Sequence, residues 1–191
     1  MSFFIGIFPD KNTVNDIKKV VGEVGKVFDG FEIPVRWSKP EKYHVTLIHL
    51  GNNLPFYKRL FFKYKLKAFA LKRFKIRFNT VKLGISRKYK ELIYLDLLEG
   101  GDDMRELFLE LRNTLYLQDD SNFLPHLTLG RVSKELSDQE HSNICRDLGV
   151  VTKRLDIDKI QFFVNELKLV KSTDEGYKVL MSFTDSSNIK L

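Results

Sequence analysis

The chain has 191 residues, enough for one domain of ordinary size or two small lobes sharing a core. With 43% apolar residues and 13% aromatics it is not a disordered chain, and no apolar run approaches the roughly eighteen residues of a membrane span. One cysteine, Cys145, excludes an intrachain disulfide and any cysteine-rich metal site, and a formal charge of +7 favours anionic partners without naming one.

Residues 3–8 (FFIGIF) predict a buried strand rather than a signal peptide, since no basic flank precedes the run and no small-residue cleavage site follows it. A cytoplasmic protein is therefore expected, where a single reduced thiol is also at home. Pro9 and Asp10 break the strand, and Val14, Ile17, Val20, Val21, Val24 and Phe28 then recur at helical spacing. Pro34 marks 31–38 as a short edge strand, and the loop KPEKY leads into a strand over 44–50 that stops at Gly51. A basic, aromatic-rich helix runs from after Pro55 to about Lys67.

The alternation of 71–86 predicts a strand bent near Asn79, paired with 91–100 through a turn at 87–90. Asp102 or Asp103 is expected to cap a helix whose inner face carries Met104, Leu107, Phe108, Leu111 and Leu115. Residues 126–132 form the next strand, and a helix from about Ser137 is expected to end at Gly149. Two strands, 154–172 and 177–184, close the chain around a turn at 173–176. Mixed helices and hairpin-connected strands indicate an α+β fold with mainly antiparallel sheets, and no linker divides it.

From Asn52 to Lys90 there is no Asp or Glu, whereas Lys and Arg recur throughout with aromatics between them. A solvated basic face explains this as readily as a surface for a phosphate backbone.

Two stretches share one pattern: YHVTLIHLG at 43–51 and LPHLTLGRV at 124–132. Side chains at i and i+2 of a strand share a face, so His44 and Thr46 project together, as do His126 and Thr128. If the two strands are neighbours, two imidazoles and two hydroxyls converge on one cleft. That set suits a phosphate: hydroxyls donate to its oxygens, one imidazole takes a proton from water and the other gives one to the leaving oxygen. No third His at ligand spacing, no His-Glu-x-x-His pattern and no nucleophile elbow suggests zinc or a serine enzyme instead.

The segments RWSKPEKYHVTLIHLG and FLPHLTLGRV resemble the 2H phosphoesterase superfamily, in its branch of RNA 2',3'-cyclic phosphodiesterases and 2'-5' RNA ligase-like proteins (LigT/ThpR type). The opening FFIGIFP and the closing NELKLVKSTDEGYKVLMSF are similar to that branch too, so the resemblance covers about 3–184. It implies two pseudo-symmetric α+β lobes, mainly antiparallel sheets flanked by helices, around a central cleft within a single domain, 1–191. It further implies metal- and cofactor-free opening of an RNA-terminal 2',3'-cyclic phosphate to a 2'-phosphate, with 2'-5' ligation as the reverse. Carried over, His44, Thr46, His126 and Thr128 are catalytic. His126 is assigned as base toward water and His44 as acid toward the 3' oxygen, with the reverse order open.

Arg131 matches the basic position after the second motif, although strand parity turns it away from His126 unless the strand bulges. Phe4, Tyr43 and Phe123 are candidates to stack on the terminal base. Trp37 and Arg36 can point either way. His49 stands where the family usually has an aromatic; parity places it opposite His44, as a buried or rim histidine. His141 is expected to be exposed on its helix, without chemistry, and Cys145 to be a small apolar helix residue. The expected partner is RNA with a 2',3'-cyclic phosphate end or a 2'-5' linked oligonucleotide, met by a monomer that needs neither a membrane nor another protein. A 2'-5' oligonucleotide phosphodiesterase and a non-catalytic RNA-binding module are the competing readings.

Overall fold

The computed structural model describes residues 1–86, 89–118 and 123–184. In chain order its elements are β1 (Ser2–Ile7), α1 (Lys11–Gly30), β2 (Val35–Trp37), β3 (Val45–His49), α2 (Phe56–Lys67), β4 (Phe74–Leu83) and β5 (Leu92–Glu99). They continue with α3 (Gly101–Thr114), β6 (His126–Val132), α4 (Asp138–Arg154), β7 (Gln161–Val164), β8 (Glu166–Ser172) and β9 (Tyr177–Thr184). The α+β architecture with antiparallel pairing is the expected one. Its strands form one sheet in the order β7-β4-β5-β6-β3-β1-β8-β9, with β2 added on β6. Among the described residues no helix is long and apolar enough to cross a membrane.

Alternation builds the layers. Ile5, Ile7, Val45, Leu47, Phe78, Leu95, Leu127 and Leu169 turn to one face, where they meet Ile17, Val24 and Phe28 of α1, Met104 and Leu111 of α3, and Ile144 and Leu148 of α4 in one contiguous core. Helix α1 packs on α4, α4 on β4 and α3 on β3. The opposite face of the sheet is left for a cleft.

Three local expectations are corrected. The stretch 154–172 is not a single strand: a short 3-10 turn at Ile157–Lys159 precedes β7, which pairs with β4, while β8 pairs with β1. These partners lie far apart in the strand order, yet only Asn165 separates β7 from β8. One residue spans less than about 7 Å, so the sheet must curl until its two halves meet again. Helix α4 opens with the Ser137–Glu140 capping box but runs through Gly149 to Arg154. Burial of Leu148 and Thr152 on its inner face outweighs the cost of about 1 kcal/mol for an interior glycine. Asp102 and Asp103 lie in the first turn of α3, where they complement its dipole, while Gly100 holds the cap position. Of the turn at 87–90, Arg87 and Lys88 lie outside the described residues.

Gly100 is required at that cap. Its φ is +82°, and a Cβ there would sit 2.5 Å from the Lys75 carbonyl oxygen and 2.8 Å from Ile76 Cγ2. Left-handed backbone alone costs an L-residue about 1–2 kcal/mol. Gly100→Ala is therefore expected to destabilise the protein by about 2 kcal/mol or more, with the midpoint of urea unfolding as the measurement; an unchanged midpoint refutes this account.

Candidate active site

The two motif strands meet at one register pair, Val45 opposite Leu127, with both side chains fully buried. Directly opposed residues of an antiparallel pair share a face, so these two belong to the core. The alternate residues His44, Thr46, His126 and Thr128 consequently share the other face, on either side of the seam. The next strands extend it: Gly6 of β1 lies opposite Thr46, while Tyr94 and Asp96 of β5 lie opposite Thr128 and His126. Phe4, Leu92, Tyr94 and Val170 are buried yet stand apart from the main core, because they line the floor of this second face.

Both imidazoles are oriented by the same device. His44 Nδ1 lies 2.7 Å from the carbonyl oxygen of Lys42, and His126 Nδ1 lies 2.7 Å from that of Leu124, two residues upstream in each case. A carbonyl only accepts, so each Nδ1 carries the proton and each Nε2 presents a lone pair. The Thr46 hydroxyl donates to His44 Nε2 at 3.0 Å.

Rings enclose His44: Phe4 at 4.6 Å between centroids, Phe8 stacked at 5.6 Å, and Tyr177 edge-on at 5.3 Å. Gly6 makes this possible, since a Cβ there would meet Phe4 Cε2 at 3.1 Å and the Val45 carbonyl oxygen at 3.0 Å. Burial lowers the pKa of His44 to about 4; the Lys42 carbonyl works against this and nearby His126 adds to it. His126, edge-on to Tyr94 at 5.6 Å, is also lowered, first by burial. The Leu124 carbonyl raises it, Arg131 lowers it and Asp96 raises it.

A bulge settles the position of Arg131. Thr128 opposes Tyr94 but Gly130 opposes Ile93, so Leu129 is an extra residue that resets the alternation. Arg131 then lies opposite Leu92, on the cleft floor, and opposite Arg36 of β2. Its Nη1 donates to Glu91 Oε1 at 2.8 Å. A matching bulge falls in β3, where Leu47 is extra between Thr46, opposite Gly6, and Ile48, opposite Ile5. His49 is thereby exposed and opposite Phe4, on the His44 side, contrary to the parity reading; its Nδ1 accepts from the Gly51 N–H at 3.2 Å. His49 and Arg131 each stand five residues after a motif histidine, each returned to the cleft face by a bulge.

Other sequence candidates fall elsewhere. Tyr43 is 3% exposed and part of the core, where burial raises its phenol pKa, so it is no base-stacking residue. Phe123 stacks flat on Phe108 of α3, 4.7 Å between centroids, and packs against the core. Trp37 turns inward, edge-on to Phe28. His141 is half-buried rather than exposed, its Nδ1 3.7 Å from Cys145 Sγ. It borders a cavity of about 580 Å³ that reaches Glu91 but neither motif histidine. Part of the basic span is neutralised: Lys82 pairs with Asp96, and Arg77 and Lys75 with Glu99. Phe8, Tyr94, Tyr177 and Asp96 were not singled out from sequence. Phe8 alone carried a usable signal, being two strand positions beyond Gly6. Among the described residues no three His, Cys, Asp or Glu side chains are grouped to hold a metal ion.

No family model and no curated protein matches the sequence. Solved structures match over nearly its whole length. TT0787 of Thermus thermophilus superposes with a TM-score of 0.69 at 18% identity, covering 97% of this chain and 98% of that one. For E. coli LigT complexed with 3'-AMP the values are 0.69, 17%, 97% and 98%. For Kluyveromyces marxianus Usb1 they are 0.58, 14%, 96% and 96%. At these identities the likeness is one of fold: the α+β, mainly antiparallel architecture expected from the motif resemblance is shared with LigT.

Proposed function

We propose that the cleft is a phosphoesterase site that opens the 2',3'-cyclic phosphate at an RNA end to a 2'-phosphate without a metal ion. The carrying observation is the pair of imidazoles that flank the Val45–Leu127 seam on one face, each locked through Nδ1 by a backbone carbonyl, with Nε2 of His44 accepting from the Thr46 hydroxyl in the empty cleft. The fold in E. coli LigT holds 3'-AMP, which supports a nucleotide phosphate as ligand. Both motifs lie in one chain, so the site is taken as complete in a monomer.

In the hydrolytic direction His126 Nε2 accepts a proton from water as the water oxygen bonds to phosphorus. The bond from phosphorus to the 3' oxygen breaks, and that oxygen takes a proton from His44 Nε2. A 2'-phosphate and a 3'-hydroxyl remain. Once His44 Nε2 is protonated it no longer accepts from Thr46, so Thr46 and Thr128 donate to nonbridging oxygens, and Arg131 offsets the charge growing on them. With a 5'-hydroxyl in place of water the same displacement forms a 2'-5' linkage, and its reverse, attack of the 3'-hydroxyl on phosphorus with loss of the 5' oxygen, cleaves that linkage. The test is incubation with a short RNA ending in 2',3'-cyclic phosphate, in EDTA, separating the products. A 2'-phosphate is expected; a 3'-phosphate, or turnover of a 2'-5' linked oligonucleotide alone, overturns the assignment.

His44 must be charged to act as the acid, and with its pKa lowered to about 4 it is neutral in the empty cleft at pH 7. A phosphate beside Nε2 favours the charged form and raises that pKa. The complex then holds more protons than its separated parts, so binding weakens as pH rises through the bound-state pKa. Calorimetry of inorganic phosphate binding at neutral pH, in buffers of different ionisation enthalpy, is expected to show proton uptake that His44→Gln reduces. Absence of uptake refutes the role of His44 as acid.

A further inference from the structure

Resting on the reading of the cleft as an RNA phosphoesterase, we infer that a second surface binds the body of the same RNA: the outward face of α2, approached across the edge strand β9. Helix α2 buries Phe62 and Leu66, so its opposite side faces solvent. That side is not polar. Phe56 and Tyr57 are each 68% exposed and Tyr64 is 76% exposed, with Leu60 between them. Tyr116, 72% exposed at the end of α3, stacks on Phe61 of α2 and accepts a hydrogen bond from Lys65. Large exposed rings gathered in this way mark an interaction surface.

The partner's chemistry follows from the charges. Helix α2 has no Asp or Glu, and Lys58, Lys63 and Lys67 are exposed on it. Around the helix Lys67 falls between Phe56 and Leu60, so cations are interleaved with rings. A helix that inserts into lipid segregates its cations to the face opposite its apolar one, and here that opposite face is the protein core. Interleaving suits a single-stranded nucleic acid, whose bases stack on rings while its phosphates meet the lysines.

A path joins this face to the cleft. Tyr177, edge-on to His44, and Lys178 are successive residues of β9, so they point to opposite faces of the sheet edge. Lys178 pairs with Lys171, and Lys171 with Phe3. The Phe3 ring carries the Lys171 ammonium on it at 6.0 Å and the Arg59 guanidinium of α2 at 5.6 Å. On the cleft side Lys42 lies over the Tyr177 ring at 5.6 Å. An RNA with its terminal phosphate at His44 leaves over Tyr177, crosses β9, and meets Lys178, Lys171 and Arg59 before the rings of α2.

The test compares a nucleoside 2',3'-cyclic phosphate with a single-stranded RNA of roughly a dozen nucleotides ending in the same group. Two paired variants are used, Tyr57→Ser with Tyr64→Ser, and Lys63→Ala with Lys67→Ala, all at exposed positions. Each pair is expected to raise KM for the longer RNA at least tenfold while leaving kcat and turnover of the mononucleotide unchanged. The lysine pair is also expected to flatten the dependence of log Kd on log salt by about 0.7 per lysine removed. Unchanged RNA affinity in both pairs overturns the inference while the phosphoesterase reading stands. Capture of wild type but not variants by phosphatidylserine vesicles, with RNA affinity unchanged, overturns it in favour of a lipid surface. RNA affinity lost in the variants of a protein that turns over neither substrate upholds this surface and removes the phosphoesterase reading.

Discussion

Replacing His44 or His126 by Ala is expected to lower turnover of an RNA 2',3'-cyclic phosphate by about 10²–10⁴-fold, the usual contribution of one positioned acid or base. The effect belongs in kcat, since proton transfer occurs only in the transition state. Both rings lie on the cleft face, away from the Val45–Leu127 packing beneath, so their removal leaves the seam and the sheet in place. The double variant is expected to lose little more than either single one, because base and acid act in one step. RNA affinity near wild type, with turnover lost, separates an enzyme from a binding module. Undiminished turnover in both single variants removes the two-histidine mechanism.

Leu127→Ala is expected to cost about 2–5 kcal/mol, the range for truncating a fully buried leucine. Its second effect is the informative one. Leu127 and Val45 form the only register pair between the motif strands among the described residues, so the packing beneath them sets how far apart His44 and His126 stand. A misplacement of about 1 Å can cost a hundredfold in rate, so turnover per folded molecule is expected to fall well beyond the loss of stability. Leu148→Ala, equally buried but in α4, serves as the comparison: similar destabilisation with turnover per folded molecule retained. Equal turnover in the two variants refutes the seam as the positioning element.

Structure that is local is legible in the sequence. The strand at 3–8, the helix carrying Ile17 and Phe28, the hairpin turn at 173–176 and the common face of His44 and Thr46 follow from period-2 and period-3.6 spacing and turn chemistry. Structure set by a partner strand is not. His49 was assigned to the wrong face and Arg131 left undecided because parity counts residues along one strand, whereas bulges at Leu47 and Leu129 exist only relative to β1 and β5. The break between β7 and β8 was missed for the same reason, since what divides 154–172 is a change of partner.

Most of the elements, the α+β class and the common face within each motif are thus legible from neighbours within a few residues, whereas the division of β7 from β8 and the end of α4 are not. Tertiary structure alone decided the environment of the motif side chains. Tyr177 reaches His44 from the far end of the chain, Tyr94 and Asp96 flank His126 from β5, and Tyr43 and Phe123, close to the motifs in sequence, are drawn into or against the core. Which rings and charges surround an imidazole depends on how the sheet curls and which strands pair, and no periodicity within one segment encodes that.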